Sequence, residues 1–515
     1  MTARTLMIQG TASHVGKSLL VAALCRIFRD EGLSVAPFKA QNMSLNAFVT
    51  AEGLEMGRAQ ASQAAAARLA PSVDMNPILL KPEGGARVQV VVRGQLVARE
   101  QVPSLSELRN VVEGALDRLR ASHDLVVIEG AGSPVELNLK PNDLVNMFVA
   151  KLADAPVLLV GDIDRGGVFA SLLGTLALFE PAERARIRGL VVNKFRGDLA
   201  GFAPGVDALR ERSGLPVVGV VPFLHDHDIP DEDSVALDER RGGRRARPDE
   251  IEIAIVRLPA LSNHDDFQPL EREPGAVVRY VETPRDLEGA DLVVIPGTKS
   301  TISDLSWLEQ SGFATAIAAR ARREEPVLGI CGGCQMLGTA LHDPDGVESS
   351  VGTADGLGLL PLVTRFGRTK RTAQARLRLA GPSFFGAPSN ATFTGYEIHL
   401  GRVERSASVR PLFAVLSRNG VDAADGAALL NDGANDALDG AVSRDGSVVG
   451  TMMHGLFENS ALRQALLNHL RTRRGLPASR PGETRTLSDP YDRLASAVRK
   501  HLDLPLIRSW LRIPH

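Results

Sequence analysis

Cysteine is scarce in this sequence: 515 residues hold only Cys25, Cys331 and Cys334. Three thiols cannot build a disulfide framework, and so few suit a reducing compartment. Net charge is lacking as well. The 59 basic residues stand against 61 acidic ones, for a formal charge of −2. That balance argues against non-specific attraction to nucleic acid or to an anionic membrane. There is no apolar run of the length that a membrane span needs, and no internal repeat. The stretch Met1–Gly10 lacks the long apolar core and cleavage site of a secretion signal. The expected location is the cytoplasm of a bacterial-type cell, with neither membrane nor nucleic acid as partner.

What the chain does have is length and alternation. A single core stops growing at about 250–300 residues, so two domains are expected. In the first half, Thr5–Gln9, Leu33–Pro37, Leu125–Ile128, Val157–Val160, Leu190–Val192 and Val217–Val221 read as buried strands. Between them, Leu19–Arg29, Leu105–Arg118, Leu144–Leu152 and Phe169–Leu178 read as helices. Continuous apolar strands alternating with helices predict a parallel sheet covered on both faces. This first domain is expected over residues 1–239. The polar, Gly-bearing run RRGGRRARPDE at 240–250 reads as a linker. It is short and carries no aromatic residue, which favours a solvated connection over a nucleic-acid patch.

A second α/β pattern is expected over 251–475. Its strands are Ile251–Val256, Leu292–Ile295, Val327–Gly329 and Ser447–Met453, and its helices Ser300–Leu308, Gln335–Leu341 and Ala461–Arg471. The span 343–445 shows no clear period, and Asp422–Gly440 reads as loop. Residues 476–515 read as a basic, partly helical tail. The fold class is therefore α/β, two domains, each with a largely parallel sheet.

Gly10-Thr11-Ala12-Ser13-His14-Val15-Gly16-Lys17-Ser18 follows a strand and opens a helix, as a phosphate-binding loop must. Backbone N–H groups and a helix N-terminus cradle phosphate oxygens there. Lys17 would neutralise β/γ-phosphate charge, and the Ser18 hydroxyl would ligate Mg²⁺. Thr11 stands where the strict pattern has Gly. Glu129 ends the apolar strand of "DLVVIEGAGS", the end at which open α/β sheets bind ligands. It either holds Mg²⁺, directly or through water, or caps a loop. In "LVVNKFRGD" the pair Asn193-Lys194 is like the guanine reader of GTPases, but Arg196 replaces its carboxylate. Asn193 reading an adenine edge, with Lys194 beside it, is the expectation; a plain surface turn is the alternative.

Pro326–Gly338, "PVLGICGGCQMLG", runs a strand through Gly-x-Cys-x-Gly into a helix. This is a nucleophile elbow with Cys331 in the reactive position. The helix N-terminus favours thiolate. The Gly332 N–H would stabilise an oxyanion, with Gly297 of "VIPGTKS" as second donor. Cys334, one turn on, should face packing. His454 of "TMMHGLFEN", distant in sequence, is the expected base.

An ATP site and a glutaminase-like thiol on one chain imply carboxylate activation coupled to ammonia release. Here the sequence resembles the cobyric acid synthase family, from Met7 to about Leu470. The resemblance rests on "PFKAQNMSLN", "EMGRAQASQA", "IEGAGSPVELNL", "GDIDRGGVFAS", "NKFRGD", "DFQPLEREPG", "PGTKST" and "GICGGCQMLG". The runs Gln41–Ser44 and Leu270–Gly275 separate it from the sibling cobyrinic acid a,c-diamide synthase. A partition-type ATPase is disfavoured, because Ala12 stands where those proteins carry a signature Lys. The resemblance implies a dethiobiotin-synthetase-like first domain and a class I glutamine amidotransferase-like second domain. It implies ATP and Mg²⁺ as cofactors, with L-glutamine and adenosylcobyrinic acid a,c-diamide as substrates. Amidation would fall on the b, d, e and g carboxylates through acyl phosphates. Cys331 would form the γ-glutamyl thioester and His454 would move its protons. Lys39, Gln41, Asn42, Asp162 and Asp164 are the expected substrate contacts. Triad amidotransferases carry Glu two residues after the catalytic His, where Leu456 stands. His454 is thus expected to be held by a backbone carbonyl or by a residue outside that slot, Glu458 being the nearby carboxylate. Lys17 and Cys331 are expected to open toward a shared cleft.

Overall fold

The computed structural model describes residues 2–84, 87–224, 228–229, 243–386, 390–406, 408–422, 437–478 and 489–513. Most of Asp422–Gly440 and residues 240–242 of the expected linker lie outside them.

The first domain is built on a six-stranded sheet. Its order is Val217–Pro222, Ile187–Phe195, Val157–Asp162, Arg4–Gly10, Leu125–Glu129, Val35–Phe38. Every pairing in it is parallel. Side chains alternate between the two faces with the two-residue period of a strand. Met7, Val126, Ile128, Val157 and Leu159 enter one core. Leu6, Ile8, Val127, Leu158 and Val160 enter the other. Burial on both faces is why these strands read as unbroken apolar runs. The predicted two-domain α/β class holds.

Two features differ from the sequence reading. The segment expected as a tail returns to the first domain through Pro490–Arg499 and Leu504–Leu511. Leu494, Val498, Ile507 and Leu511 complete its second core, and buried Arg26 binds Asp489 and Asp492 at 3.1 and 2.9 Å. The sequence marks this segment as partly helical, but not its destination. The stretch after the second strand also carries unpredicted short strands. Gln41–Met43 pairs with Ile78–Gly84, which pairs with Arg87–Val92, and Ala47–Val49 forms a hairpin with Glu55–Gly57. This annex lies against the second domain.

The second domain has a sheet ordered Ala276–Val281, Ile251–Val256, Leu292–Ile295, Val327–Ile330, Val448–Thr451, Ala441–Val442. All pairs are parallel except the last. The span without clear period is largely antiparallel. Thr392–His399 pairs with Arg371–Leu379 on one side and with Met453–His454 on the other, placing Tyr396 opposite His454. The helix after Cys331 covers Gly332–Met336 rather than Gln335–Leu341, and the chain continues as the strand Ala340–His342. No helix among the described residues is long and apolar enough to cross a membrane.

Candidate functional site

At the phosphate end, the strand Arg4–Gly10 runs into the loop and then the helix Lys17–Asp30. Gly16 caps that helix at φ 95°, in the left-handed region. A Cβ there would lie 2.1 Å from Asn193 Nδ2, so only glycine serves. The Asn193 amide donates to the Val15 carbonyl at 2.7 Å, which ties the loop to the neighbouring strand. Lys17 Nζ donates to the Ala12 and Gly132 carbonyls at 2.9 and 3.3 Å. Its ammonium thus lies curled over the loop that phosphates would fill.

Glu129 is fully buried at the carboxyl end of its strand. Its Oε1 accepts from Ser18 Oγ at 2.9 Å and from Lys39 Nζ at 2.8 Å, and its Oε2 accepts from Gln63 Nε2 at 2.5 Å. A carboxylate that takes the Ser18 proton leaves the hydroxyl lone pairs facing outward. With one hydroxyl, one carboxylate and room for water and phosphate oxygens, the donor set suits Mg²⁺, which usually keeps several waters. The cavity over this site measures about 440 Å³ and is lined by Lys17, Ser18, Lys39, Asn42, Asn193 and Lys194 among others.

Of the five expected substrate residues, this cavity gathers Lys39 and Asn42 but not Gln41, Asp162 or Asp164. Lys39 and Asn42 line it, and Asn42 donates to Gln60 at 3.0 Å. Asp162 binds Lys194 at 3.0 Å, and Asp164 binds Arg196 at 2.6 Å. The Arg196 guanidinium stacks 3.6 Å over the Phe223 ring, so Arg196 orders this corner instead of leaving a gap where a carboxylate was missed. Gln41 is half-buried on its short strand.

At the thiol end, Cys331 sits at φ 51°, ψ −110° between the strand Val327–Ile330 and the helix Gly332–Met336. A non-glycine residue in that region is strained, as the sharp turn of an elbow demands. The flanking glycines are steric requirements. A Cβ at Gly333 would stand 1.9 Å from the Ile295 carbonyl oxygen, and one at Gly332 2.6 Å from Thr298 Cγ2. Gly332 and the Gly297–Thr298 turn are thereby packed against each other. A Cβ at Gly297 would lie 2.9 Å from His454 Cε1, so this turn also borders the imidazole.

His454 lines the same cavity as Cys331, whose sulfur lies 4.0 Å from the Ile398 carbonyl oxygen, and on its other side it is bonded to Asp266, Nδ1 to Oδ2 at 2.6 Å. Asp266 Oδ1 accepts from the Gly455 N–H at 2.8 Å, and Tyr396 stacks on the imidazole with centroids 5.4 Å apart. Burial alone would lower the His454 pKa; the Asp266 carboxylate and the Cys331 sulfur push it up to about 10. The expected backbone carbonyl or unusual support for His454 gives way to a buried carboxylate. That carboxylate is not Glu458, which is exposed and binds Arg58 at 3.3 Å. Asp266 opens the "DFQPLEREPG" segment, but lies 188 positions before its partner. Cys334 is buried, with its thiol pKa pushed up by burial, and a Cβ on Gly450 would touch its sulfur. It is a packing residue.

Among the described residues, the cavity lined by Lys17 and the cavity lined by Cys331 share no lining residue. They are joined by the helix Arg58–Ala66. Gln63 on this helix binds Glu129, and Arg58 at its start binds Asp265 at 2.8 Å, next to Asp266 in the chain. Asn46 bonds His264 at 2.8 Å, and Asn263 donates to the Ala47 carbonyl at 2.9 Å. The turn that carries Asp266 is therefore gripped by the first domain.

Residues 6–234 match the family described as "CobQ/CobB/MinD/ParA nucleotide binding domain", and residues 252–462 the "CobB/CobQ-like glutamine amidotransferase domain". Among curated proteins, the cobyric acid synthase of Sorangium cellulosum is 58% identical, covering 98% of each chain. That of Dehalococcoides mccartyi strain CBDB1 is 47% identical, again over 98% of each. That of Pelotomaculum thermopropionicum is 48% identical over 99% of this chain and 97% of its own.

Proposed function

Since the chain belongs to the cobyric acid synthase family, we propose that it amidates the b, d, e and g carboxylates of adenosylcobyrinic acid a,c-diamide, each with one glutamine and one ATP. At the thiol site the sulfur of Cys331 attacks the glutamine side-chain carbonyl. The thiol proton resides on His454 Nε2 and passes to the leaving ammonia. The γ-glutamyl thioester is then hydrolysed by water to glutamate. The N–H groups of Gly332 and Gly297 face the oxyanion. Asp266 holds the imidazole in the tautomer this requires.

At the phosphate site, a corrin carboxylate oxygen attacks the ATP γ-phosphorus and ADP leaves. Ammonia then attacks the acyl phosphate carbon, releasing phosphate and leaving the amide. Mg²⁺, when bound, offsets charge on the β- and γ-phosphates. Ser18 and Glu129 are the residues to hold it, and Lys17 and the loop amides add fixed positive charge. Asn193, already tied to the loop, borders the adenine side, and Lys39, Gln41, Asn42, Asp162 and Asp164 are proposed to contact the corrinoid.

The observation that carries this reading is the buried relay Cys331–His454–Asp266 on the same chain as a Ser18–Glu129 phosphate site, with one helix touching both. Two variants test it. Cys331→Ser is expected to lose glutamine-dependent amidation and keep amidation from free ammonia, whereas Lys17→Ala is expected to lose both. An unchanged glutamine-dependent rate in Cys331→Ser would sink the reading.

A further inference from the structure

The cavity that holds Cys331 and His454 is also lined by a cluster of cations, and no step above uses them. Lys81, Lys299 and Lys370 all line this cavity, with Glu348 as its only acidic lining residue among those described. All three ammonium groups are buried or nearly so. Their partners stand behind them and off the cavity wall. Glu55 binds Lys81 at 2.9 Å and Lys370 at 2.6 Å, and Glu83 binds Lys299 at 3.0 Å. Two of these chains, Lys81 and Glu55, come from the annex of the first domain, as does Gln89, which also lines the cavity. Lys299 and Lys370 belong to the second.

A lysine has three donors. Lys370 gives two of them, to Glu55 and, at 3.4 Å, to Gln89. Burial lowers the Lys370 pKa to about 8, even with Glu55 attached, and Lys81 and Lys299 add to the lowering. Positive charge crowded into a dry wall is stabilised by an entering anion. The amino acid that Cys331 attacks at its far end carries one. Its α-carboxylate lies several bonds from the side-chain amide, on the part of the molecule that must face away from the thiol. Its α-ammonium would meet Glu348.

We propose that the lysine cluster, above all Lys370 with Lys81 from the first domain, binds the α-carboxylate of glutamine, so that the glutamine site is complete only when the two domains are docked. The proposal rests on the glutaminase reading of Cys331. It adds that specificity for a free amino acid is set across the domain seam.

The test compares glutamate-type product release from L-glutamine and from its α-carboxamide, L-glutaminamide, in the full-length protein. The two substrates share the reacting amide and differ in the charge at the far end. A charge-assisted hydrogen bond in a buried site supports a preference for glutamine in kcat/KM of about 10- to 100-fold. In Lys370→Met and in Lys81→Met that ratio is expected to fall toward one, through a rise in KM for glutamine. Lys370→Arg keeps the charge and is expected to retain most of the preference. A lysine that merely braces the domain seam would lower both substrates together. An unchanged ratio in both Met variants, with thermal unfolding showing them folded, overturns the proposal. If one Met variant fails to fold, the other decides. If the unmodified protein releases nothing from glutamine, the glutaminase reading itself has failed; if it does so without any preference over glutaminamide, only this inference has.

Discussion

Asp266→Asn changes one atom type at the centre of the thiol site, and its consequences can be worked through in order. Asp266 Oδ2 faces His454 Nδ1 at 2.6 Å. The carboxylate makes Nδ1 the protonated nitrogen and leaves Nε2 to exchange a proton with the Cys331 sulfur. An Asn can keep the Gly455 N–H on its oxygen, the bond Asp266 Oδ1 makes at 2.8 Å. Its amide NH₂ then faces Nδ1, which must become an acceptor. The ring proton moves to Nε2, and the base is lost. The corresponding exchange in serine-protease triads costs about 10⁴-fold in kcat, and a loss on the order of 10²–10⁴-fold is expected here. The assay is glutamate release, run beside amidation from free ammonia, which should persist because the phosphate site is intact. Stability reports the same change. The folded-state pKa of His454 is raised from 6.5 to about 10, which corresponds to about 5 kcal/mol of interaction favouring the charged ring. A raised pKa stabilises the fold fully below the unfolded value and is lost as the pH rises through the folded one. The urea midpoint of the native protein should therefore fall between pH 6.5 and about 10 by more than that of Asp266→Asn. Glutamate release in Asp266→Asn equal to that of the unmodified protein would refute the reasoning. So would equal loss with ammonia, which would mean that the substitution damages the fold rather than the base.

Other substitutions separate the remaining contacts. Glu129→Gln is expected to abolish amidation from either nitrogen source while leaving glutamate release from glutamine detectable, since the carboxylate serves Ser18, Lys39 and Gln63, none of which lines the thiol cavity. Gly16→Ala places a methyl group 2.1 Å from Asn193 Nδ2 at a left-handed φ; nucleotide binding by calorimetry should disappear. Arg58→Met removes the cation at Asp265, whose carboxyl burial already pushes above its usual range. Asp265 should then take a proton, and glutamine-dependent amidation should fall well below ammonia-dependent amidation. Glu458→Gln, by contrast, alters an exposed pair at 3.3 Å, and an exposed pair contributes about 0–1 kcal/mol; glutamate release should be near normal.

The parts legible in the sequence are those whose physics is local. The first sheet shows itself because strands buried on both faces must be continuously apolar, as Leu125–Ile128 and Val157–Val160 are. The loop ending in Gly16-Lys17-Ser18 and the elbow at Cys331 are legible because their glycines answer to contacts within a few residues of chain or to one facing strand. Asp266 is not legible in this way. Nothing near His454 marks it, and the position where the pattern was sought holds Leu456, buried in the core. The strand Arg371–Leu379 does carry a two-residue period, with Ala373, Ala375, Leu377 and Leu379 inward, but alternating arginines and small alanines make it faint. The annex strands at Gln41–Met43 and Glu55–Gly57 are short and polar. Their burial rests on distant partners, Asn42 on Gln60, Met56 in the first-domain core and Glu55 on Lys370 of the second domain, so no local pattern could announce it.

That last point bears on how the two chemistries are held together. The seam joins a small apolar cluster, in which Ala47, Val49, Leu79 and Val91 meet Tyr396 and Ile398, to several buried polar pairs. Arg58 on Asp265, Asn46 on His264, Lys370 on Glu55 and Lys299 on Glu83 each bring one partner from either domain. Buried charges of this kind give little net stability, because desolvation offsets most of their attraction, but each is costly to leave unpaired. Separating the domains would return these groups to water, so the pairs fix the register of docking more than its strength. The helix Arg58–Ala66 makes that arrangement matter for chemistry. Its first residue holds the turn carrying Asp266, and Gln63 holds the carboxylate that faces Ser18. A shift of this helix by a fraction of a turn would disturb both sites at once, because the buried carboxylates of Asp265 and Glu129 each take a partner from it. Ammonia released where no phosphate is being transferred is glutamine wasted, and a shared rigid element between buried carboxylates is a direct physical means of keeping the two reactions in one conformational state.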